Sequence, residues 1–218
     1  MITAVRYALR PMVFGDIPQA VSIERESFPT LWPQTTYRRE LQNRLARYIV
    51  AVEVSEASLP APPPAPERPG GWREAVRRLL GTEPQPPPTS ELILGFVGLW
   101  LMVGEAHIVT LAVREAYRRR GIGETLLVAA LEVATRNGQE TMTLEVRRSN
   151  EAAQALYEKY GFLRVRVRPR YYSDTQEDAI LMSVGSLQSP EYGDKFRRLK
   201  EAHHRRWGDA VASLPAHF

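Results

Sequence analysis

The stretch Arg118-Arg119-Arg120-Gly121-Ile122-Gly123 puts three guanidinium groups directly before two glycines spaced one residue apart. Between a strand and a helix, such a turn can hold a pyrophosphate. Glycine lets the backbone come close, free N–H groups of the helix start point at the anion, and arginine completes the charge. The spacing alone fits equally a basic turn with an ordinary helix start. No Lys-Ser/Thr pair follows, so this is not a Walker loop, and the three-glycine dinucleotide pattern is absent. Mononucleotide hydrolysis and dinucleotide redox both lose weight. The chain has no cysteine, which excludes disulfides, thiolate zinc sites, iron–sulfur clusters and a cysteine nucleophile. Acid–base chemistry then falls to carboxylates, histidine and tyrosine. Glu145 sits inside an apolar strand-like run, on the face opposite Leu144 and Val146, where partial burial is expected to raise its pKa toward the working range of a general base. A glutamate in mid-strand also fits a solvated edge position. His107 is the rival base, since imidazole titrates near neutrality, and Glu105 beside it reads as a turn residue. Tyr157 lies seven residues after Asn150, two helical turns along one face, which places its hydroxyl over the groove that the capping residue borders. A tyrosine packed in the core has the same spacing.

The elements that would position these groups follow from periodicity and caps. Residues 4–10 alternate around Val5, Tyr7 and Leu9 and predict a strand; Asp16 reads as the N-cap of a helix with Pro18 near its start and Val21 and Ile23 on its inner face. A second helix fits Gln34 to Arg44, and Tyr48 to Val54 a β-branched strand. Leu92–Val103 and His107–Val113 predict two strands joined by a turn at Gly104–Glu105. After the basic turn comes a helix with an apolar face of Leu126, Leu127, Ala130, Leu131 and Ala134, ended by Asn137-Gly138. Thr141–Val146 is a strand, Ser149 or Asn150 caps a short helix through Tyr160 that Gly161 ends, and Phe162–Arg168 and Ala179–Val184 are the last strands. The sum is an α/β fold with roughly seven strands.

Two segments stand apart. Residues 58–90 hold ten of the 17 prolines and favour extended, unpacked conformers, apart from a small helix at Trp72–Leu80. Four Arg and four Glu within 55–90 cancel, against a basic nucleic-acid arm. Residues 186–218 form a charged tail, helical from Tyr192 to Trp207. The length of 218 residues with 44% apolar residues suits one folded domain with an appendage. The net charge of +4, from 29 basic and 25 acidic residues, suits an anionic ligand without demanding nucleic acid. The most apolar run, Leu92–Val103, is broken by two glycines and is short for a bilayer span, and no secretory signal opens the chain, so a cytoplasmic location is expected.

The strand His107–Val113, the Arg118–Gly123 turn, Leu144-Glu145-Val146, Ser149-Asn150-Glu151-Ala152-Ala153 and Ala155–Phe162 together resemble the GNAT acetyltransferase superfamily. Phe28-Pro29 with Trp32, and Tyr171-Tyr172-Ser173-Asp174 with Glu177-Asp178-Ala179, are similar to the RimI-type ribosomal-protein-alanine N-acetyltransferases and their archaeal N-terminal acetyltransferase relatives. The resemblance covers about 5–54 and 91–185. It implies a GNAT domain over residues 1–185, interrupted at 55–90, with helices on both sheet faces and a splayed central strand pair. It further implies acetyl-CoA as cosubstrate and no metal: Leu111, Ala112 and Val113 along the pantetheine arm, Arg118, Arg119, Arg120, Gly121, Ile122, Gly123 and Glu124 around the pyrophosphate, and Asn150 at the cofactor as well as at the helix cap. Glu145 would be the proton acceptor, with His107 assisting or replacing it, and Tyr157 the acid at the thiol. Phe28, Pro29, Trp32, Tyr171 and Tyr172 would grip the first residues of a peptide; a hydrophobic lid over the core accounts for them equally. The acceptor implied is a protein N-terminus, that of a ribosomal protein beginning with alanine. Two other readings stay open: a GNAT enzyme acetylating a small-molecule amine or lysine, and a non-catalytic CoA-binding or adaptor module. No membrane or direct nucleic-acid partner is expected, and the sequence does not give an oligomeric state.

Overall fold

The computed structural model describes residues 7–28, 36–54, 89–208, 211–212, 214 and 218. Pro29, Trp32 and the expected Trp72–Leu80 helix lie outside the described residues. Eight strands form one mixed sheet: β1 (Tyr7–Pro11), β2 (Ala46–Glu53), β3 (Ile93–Leu101), β4 (Glu105–Val113), β5 (Thr141–Arg147), β6 (Leu163–Tyr172), β7 (Glu177–Val184) and the two-residue β8 (Val211–Ala212). Their order is β6-β7-β5-β4-β3-β2-β1-β8. Seven strands of ordinary length match the expected number.

Apolar residues cover both faces of this sheet. On one side, Leu126, Leu127, Ala130, Leu131 and Ala134 of α3 (Ile122–Arg136) and Tyr157 of α4 (Glu151–Lys159) pack with Leu94, Val97, Leu144 and Met182. On the other, Ala20 and Ile23 of α1 (Ile17–Ser27) and Tyr37 of α2 (Tyr37–Gln42) pack with Tyr48, Val50 and Phe96. With helices on both sides, β3 is buried along nearly its whole length, which is why its sequence is a continuous apolar run rather than an alternation. Gly98 is required there: a Cβ at that position would sit 2.3 Å from the ring of Tyr48, its partner across the β2–β3 ladder.

Two local expectations are corrected. Asp16 does not cap α1 with its side chain. Its fully buried carboxylate instead accepts hydrogen bonds from Arg10, the Val13 N–H and Thr89, because a buried charge needs several donors at once. Glu105 is the first residue of β4 rather than a turn residue; the turn is taken by Met102–Gly104, closed by the Met102 N–H on the Glu105 carbonyl. The helix expected from Tyr192 to Trp207 is present as the 18-residue α5 (Pro190–Trp207), one stripe of which, Tyr192, Phe196, Leu199 and His203, packs inward.

The central pair β4–β5 sets up the site. They run parallel and pair only from Glu105↔Thr141 to Ile108↔Leu144. The ladder between β3 and β4 shifts by one residue between Gly98↔Thr110 and Leu99↔Ile108, so Val109 is an extra residue on β4. Such a bulge bends and twists its strand. Beyond it β4 follows β3 and β5 follows β7 through Arg147↔Ala179, and a gap opens between them.

Candidate active site

The wall of the gap follows from the pleat of β4. The Arg114 N–H donates to the Leu94 carbonyl, toward β3. Backbone groups alternate sides along a strand, so Ala112 also faces β3, while Leu111 and Val113 turn their amides into the gap. Ala112 thus contributes no backbone group there, and its side chain is buried in the core. The Val113 carbonyl accepts from Arg118 Nε at 3.1 Å, and the same guanidinium reaches Ser27 Oγ at 3.3 Å. Arg118 thereby holds the end of α1, and with it Phe28, beside the wide end of the gap. Thr110 Oγ1 is buried in the same strand with no hydrogen-bond partner among the described residues.

At the wide end, Arg119 (φ 63°) and Gly121 (φ 82°) both adopt the left-handed conformation, and α3 begins at Ile122. The turn delivers the chain directly into the helix start, whose free N–H groups are suited to meet an anion. A non-glycine residue held at positive φ is the kind of local strain found at ligand sites. A Cβ at Gly123 would rest in ordinary contact with the Val113 and Leu111 side chains, at 3.6 and 3.9 Å, so the first turn of α3 packs against the end of β4. Arg120 lies over the Tyr117 ring at 5.2 Å. The Glu124 side chain turns away, to Lys159 and to the Tyr160 hydroxyl, which donates to it at 2.7 Å. Burial would raise this carboxyl, but His203, Lys159 and Tyr160 outweigh it and hold it at about 2. Asn150 caps α4, its Oδ1 accepting from the Ala153 N–H at 3.2 Å.

At the narrow end, β5 alternates, with Met142, Leu144 and Val146 in the core and Thr143 and Glu145 on the opposite face. Glu145 Oε2 lies 3.1 Å from His107 Nε2, and Oε1 lies 3.0 Å from Arg168 of β6. The two candidate bases are therefore one unit. His107 Nδ1 is 2.8 Å from Thr143 Oγ1, whose own proton goes to Glu105 at 2.6 Å. A carboxylate only accepts and the hydroxyl has one proton, so Nδ1 must donate to Thr143 and Nε2 is the nitrogen that shares a proton with Glu145. The expectation that burial raises Glu145 is overturned. The hydrogen bond from His107 outweighs desolvation, Arg168 adds to it, and the carboxyl is held below its ordinary value.

Tyr157 is 7% exposed, tilted against Phe162 at 5.8 Å, and its hydroxyl has no partner among the described residues; burial pushes it up to about 12, so it stays protonated at neutral pH. It packs on the Leu144 and Val146 side of the sheet and Glu145 lies on the other. The gap joins the two faces. Tyr171 and Tyr172 meet edge to face at 5.2 Å, and burial raises both hydroxyls, with a further rise from Glu145. Their hairpin is held by Arg147, which stacks on Tyr172 at 4.0 Å and binds Asp174, Thr175 and Glu177. Sequence reasoning missed Thr143, Arg147 and Arg168. The outward-facing alternation of β5 was the signal for Thr143 and Arg147; the partners of Arg168 depend on strand register.

Among the described residues, no group of three or more His, Asp or Glu could hold a metal, and no helix is long and apolar enough to cross a membrane.

The profile of the acetyltransferase (GNAT) family matches residues 80–162. A Bacillus subtilis (strain 168) protein, named provisionally as a ribosomal protein bS18-alanine N-acetyltransferase, is 30% identical over 178 residues, 81% of this chain and 94% of that protein. The crystal structure of the Escherichia coli ribosomal-protein-S18-alanine N-acetyltransferase superposes with a TM-score of 0.60 at 24% identity, covering 83% of this chain and 94% of that one. Arabidopsis thaliana NAA60 in complex with acetyl-CoA superposes with a TM-score of 0.57 at 20% identity, covering 82% and 98%. Both structural likenesses speak to the fold.

Proposed function

Because the chain belongs to the GNAT acetyltransferase family and is an acyltransferase, we propose that it transfers an acetyl group from acetyl-CoA to the α-amine of a protein N-terminus, its natural acceptor being a ribosomal protein that begins with alanine. The observation that carries this reading is the gap between β4 and β5. Its wide end meets the Arg119–Glu124 turn, its wall presents the Leu111 and Val113 amides, and its narrow end reaches Glu145 and His107. An extended amide-bearing arm with a pyrophosphate at one end and a reactive group at the other fits this shape. The bacterial relative's provisional naming for bS18 alanine and the acetyl-CoA bound to the plant structural neighbour point the same way.

Acetyl-CoA supplies the activated acyl thioester. The residues supply proton traffic and position. An incoming amine must be neutral; with the ring proton fixed at Nδ1 by Thr143, neutral His107 leaves Nε2 free, and the amine's proton is taken up between Nε2 and Glu145 Oε2, which become an ion pair by accepting it. Thr143 and Glu105 fix the ring orientation, and Arg168 fixes the carboxylate. Across the gap, the protonated Tyr157 hydroxyl donates to the departing thiolate sulfur. Tyr171 and Tyr172, clamped by Arg147, would border the path of a chain end together with Phe28.

An assay with acetyl-CoA and peptides beginning Ala, Ser, Met-Leu and Met-Glu, beside an internal-lysine peptide with a blocked N-terminus and a polyamine, tests this. Turnover of the alanine peptide ahead of the rest is expected. Preference for the lysine peptide or the polyamine would replace the acceptor, and acetyl-CoA binding without turnover of any amine would favour an adaptor.

A further inference from the structure

Helix α5 lies antiparallel to α3 and is tied to it along its length: Lys200 pairs with Glu132, His203 with Thr125 and Glu124, and Trp207 with Gly121. The contacts converge on the first turn of α3. His203 is 8% exposed, and its Nε2 lies 2.7 Å from Thr125 Oγ1. That hydroxyl is also 2.6 Å from Tyr7 OH and donates to the Gly121 carbonyl at 3.2 Å. His203 Nδ1 is 3.4 Å from Glu124 Oε2. The indole of Trp207 covers Gly121 so closely that a Cβ there would fall 2.7–2.9 Å from three ring atoms. Gly121 is thus fixed twice, by its left-handed φ of 82° and by the ring against it.

We propose that Trp207 and His203 are positioning residues of the cofactor site, holding residues 121–125 in the conformation that presents the backbone N–H groups to the pyrophosphate of acetyl-CoA. The inference rests on the acetyl-CoA reading above and extends the site to a helix that the matched 80–162 region does not include. Backbone donors pre-set toward an anion bind it without an ordering cost at the moment of association, and a first turn free to fray pays that cost in affinity. The chemistry at Glu145 and Tyr157 lies at the other end of the gap and does not depend on this packing. The effect therefore belongs to donor affinity, not to the chemical step.

The experiment measures acetyl-CoA affinity by calorimetry and the kinetic constants for donor and acceptor in the full chain, for the wild type, Trp207→Ala, Trp207→Phe and Lys200→Ala. Lys200→Ala loosens the same helix away from the turn and serves as the control for stability. Trp207→Ala should weaken acetyl-CoA binding and raise its KM about tenfold or more, while kcat at saturating donor and the acceptor KM stay within about twofold. Trp207→Phe, which keeps a flat ring on Gly121, should recover most of the loss, and Lys200→Ala should lower the melting temperature without moving donor KM. Unchanged donor affinity in Trp207→Ala overturns the proposal, as does an equal rise in Lys200→Ala. A wild type that binds no acetyl-CoA overturns the cofactor reading itself, and with it this inference.

Discussion

Glu145 is ionised and acidified by the two groups that hold it, yet the proposed transfer asks it to accept a proton. His107 resolves this, since the neutral ring, its proton held at Nδ1 by Thr143, offers Nε2 as a seat for the proton beside the carboxylate. Glu145→Gln should therefore lower kcat by roughly 10²–10⁴ with little change in acetyl-CoA affinity, as removal of a general base does. His107→Ala should cost less, because Glu145 keeps its site and Arg168. A dead His107 variant beside a near-normal Glu145 variant, read from steady-state kinetics, would reverse the assignment. Glu145, His107 and Tyr157 could be named as candidates from the sequence, whereas the sign of the Glu145 shift could not be read there. Burial is readable from an apolar strand. The partners that outweigh it come from β4 and β6, 38 residues before and 23 after, and only the pairing of the strands brings them together.

At the level of elements, caps and periodicity located every α-helix and long strand that falls within the described residues, to within a few residues, but not the short 3-10 turns at Phe14–Asp16 and Glu115–Tyr117. Three features needed the structure. The Val109 bulge lies among ordinary strand residues, with nothing in their types to mark it. The carboxylate of Asp16 has its partners in β1 and at Thr89. The docking of α5 is hidden because the helix is mostly charged, with only a narrow stripe facing inward. That docking gives α3 a pH signature. Glu124 has its carboxyl held at about 2 against an ordinary 4.5: burial would raise it, and His203, Lys159 and Tyr160 outweigh that cost. A depressed carboxyl stabilises the fold fully above its unfolded pKa and loses that contribution as pH falls toward the folded value. Thermal melts of wild type and Glu124→Gln should differ by several degrees at pH 6 and converge as pH drops through about 4 toward 2. A difference that stays constant across that range would mean the carboxylate contributes no charge interaction.

For the whole molecule, the proline-rich segment enters and leaves the sheet at one place. The Glu53 N–H donates to the Leu92 carbonyl at 2.9 Å, closing the β2–β3 hairpin whatever lies between. The segment's last residues, Thr89 onward, are integral: Thr89 binds Asp16 and the Gly15 carbonyl, and Glu91 binds Arg10. Thr89 and Glu91 are thus tied to the folded domain and are kept in any deletion. Replacing residues 55–88 by a short Gly/Ser turn should leave cooperative melting and short-peptide turnover intact, since loop closure changes by only about 0.6 kcal/mol per halving of loop length. Loss of either would make the segment part of the catalytic domain. The sheet, the gap and the turn all serve one claim, that this chain acetylates a chain-terminal amine. The most direct test gives the enzyme one peptide with a free N-terminal alanine and one internal lysine, with acetyl-CoA, and locates the acetyl group by fragment-ion mass spectrometry. The account predicts acetyl on the alanine nitrogen alone; acetyl on the lysine, with the alanine left free, would contradict it.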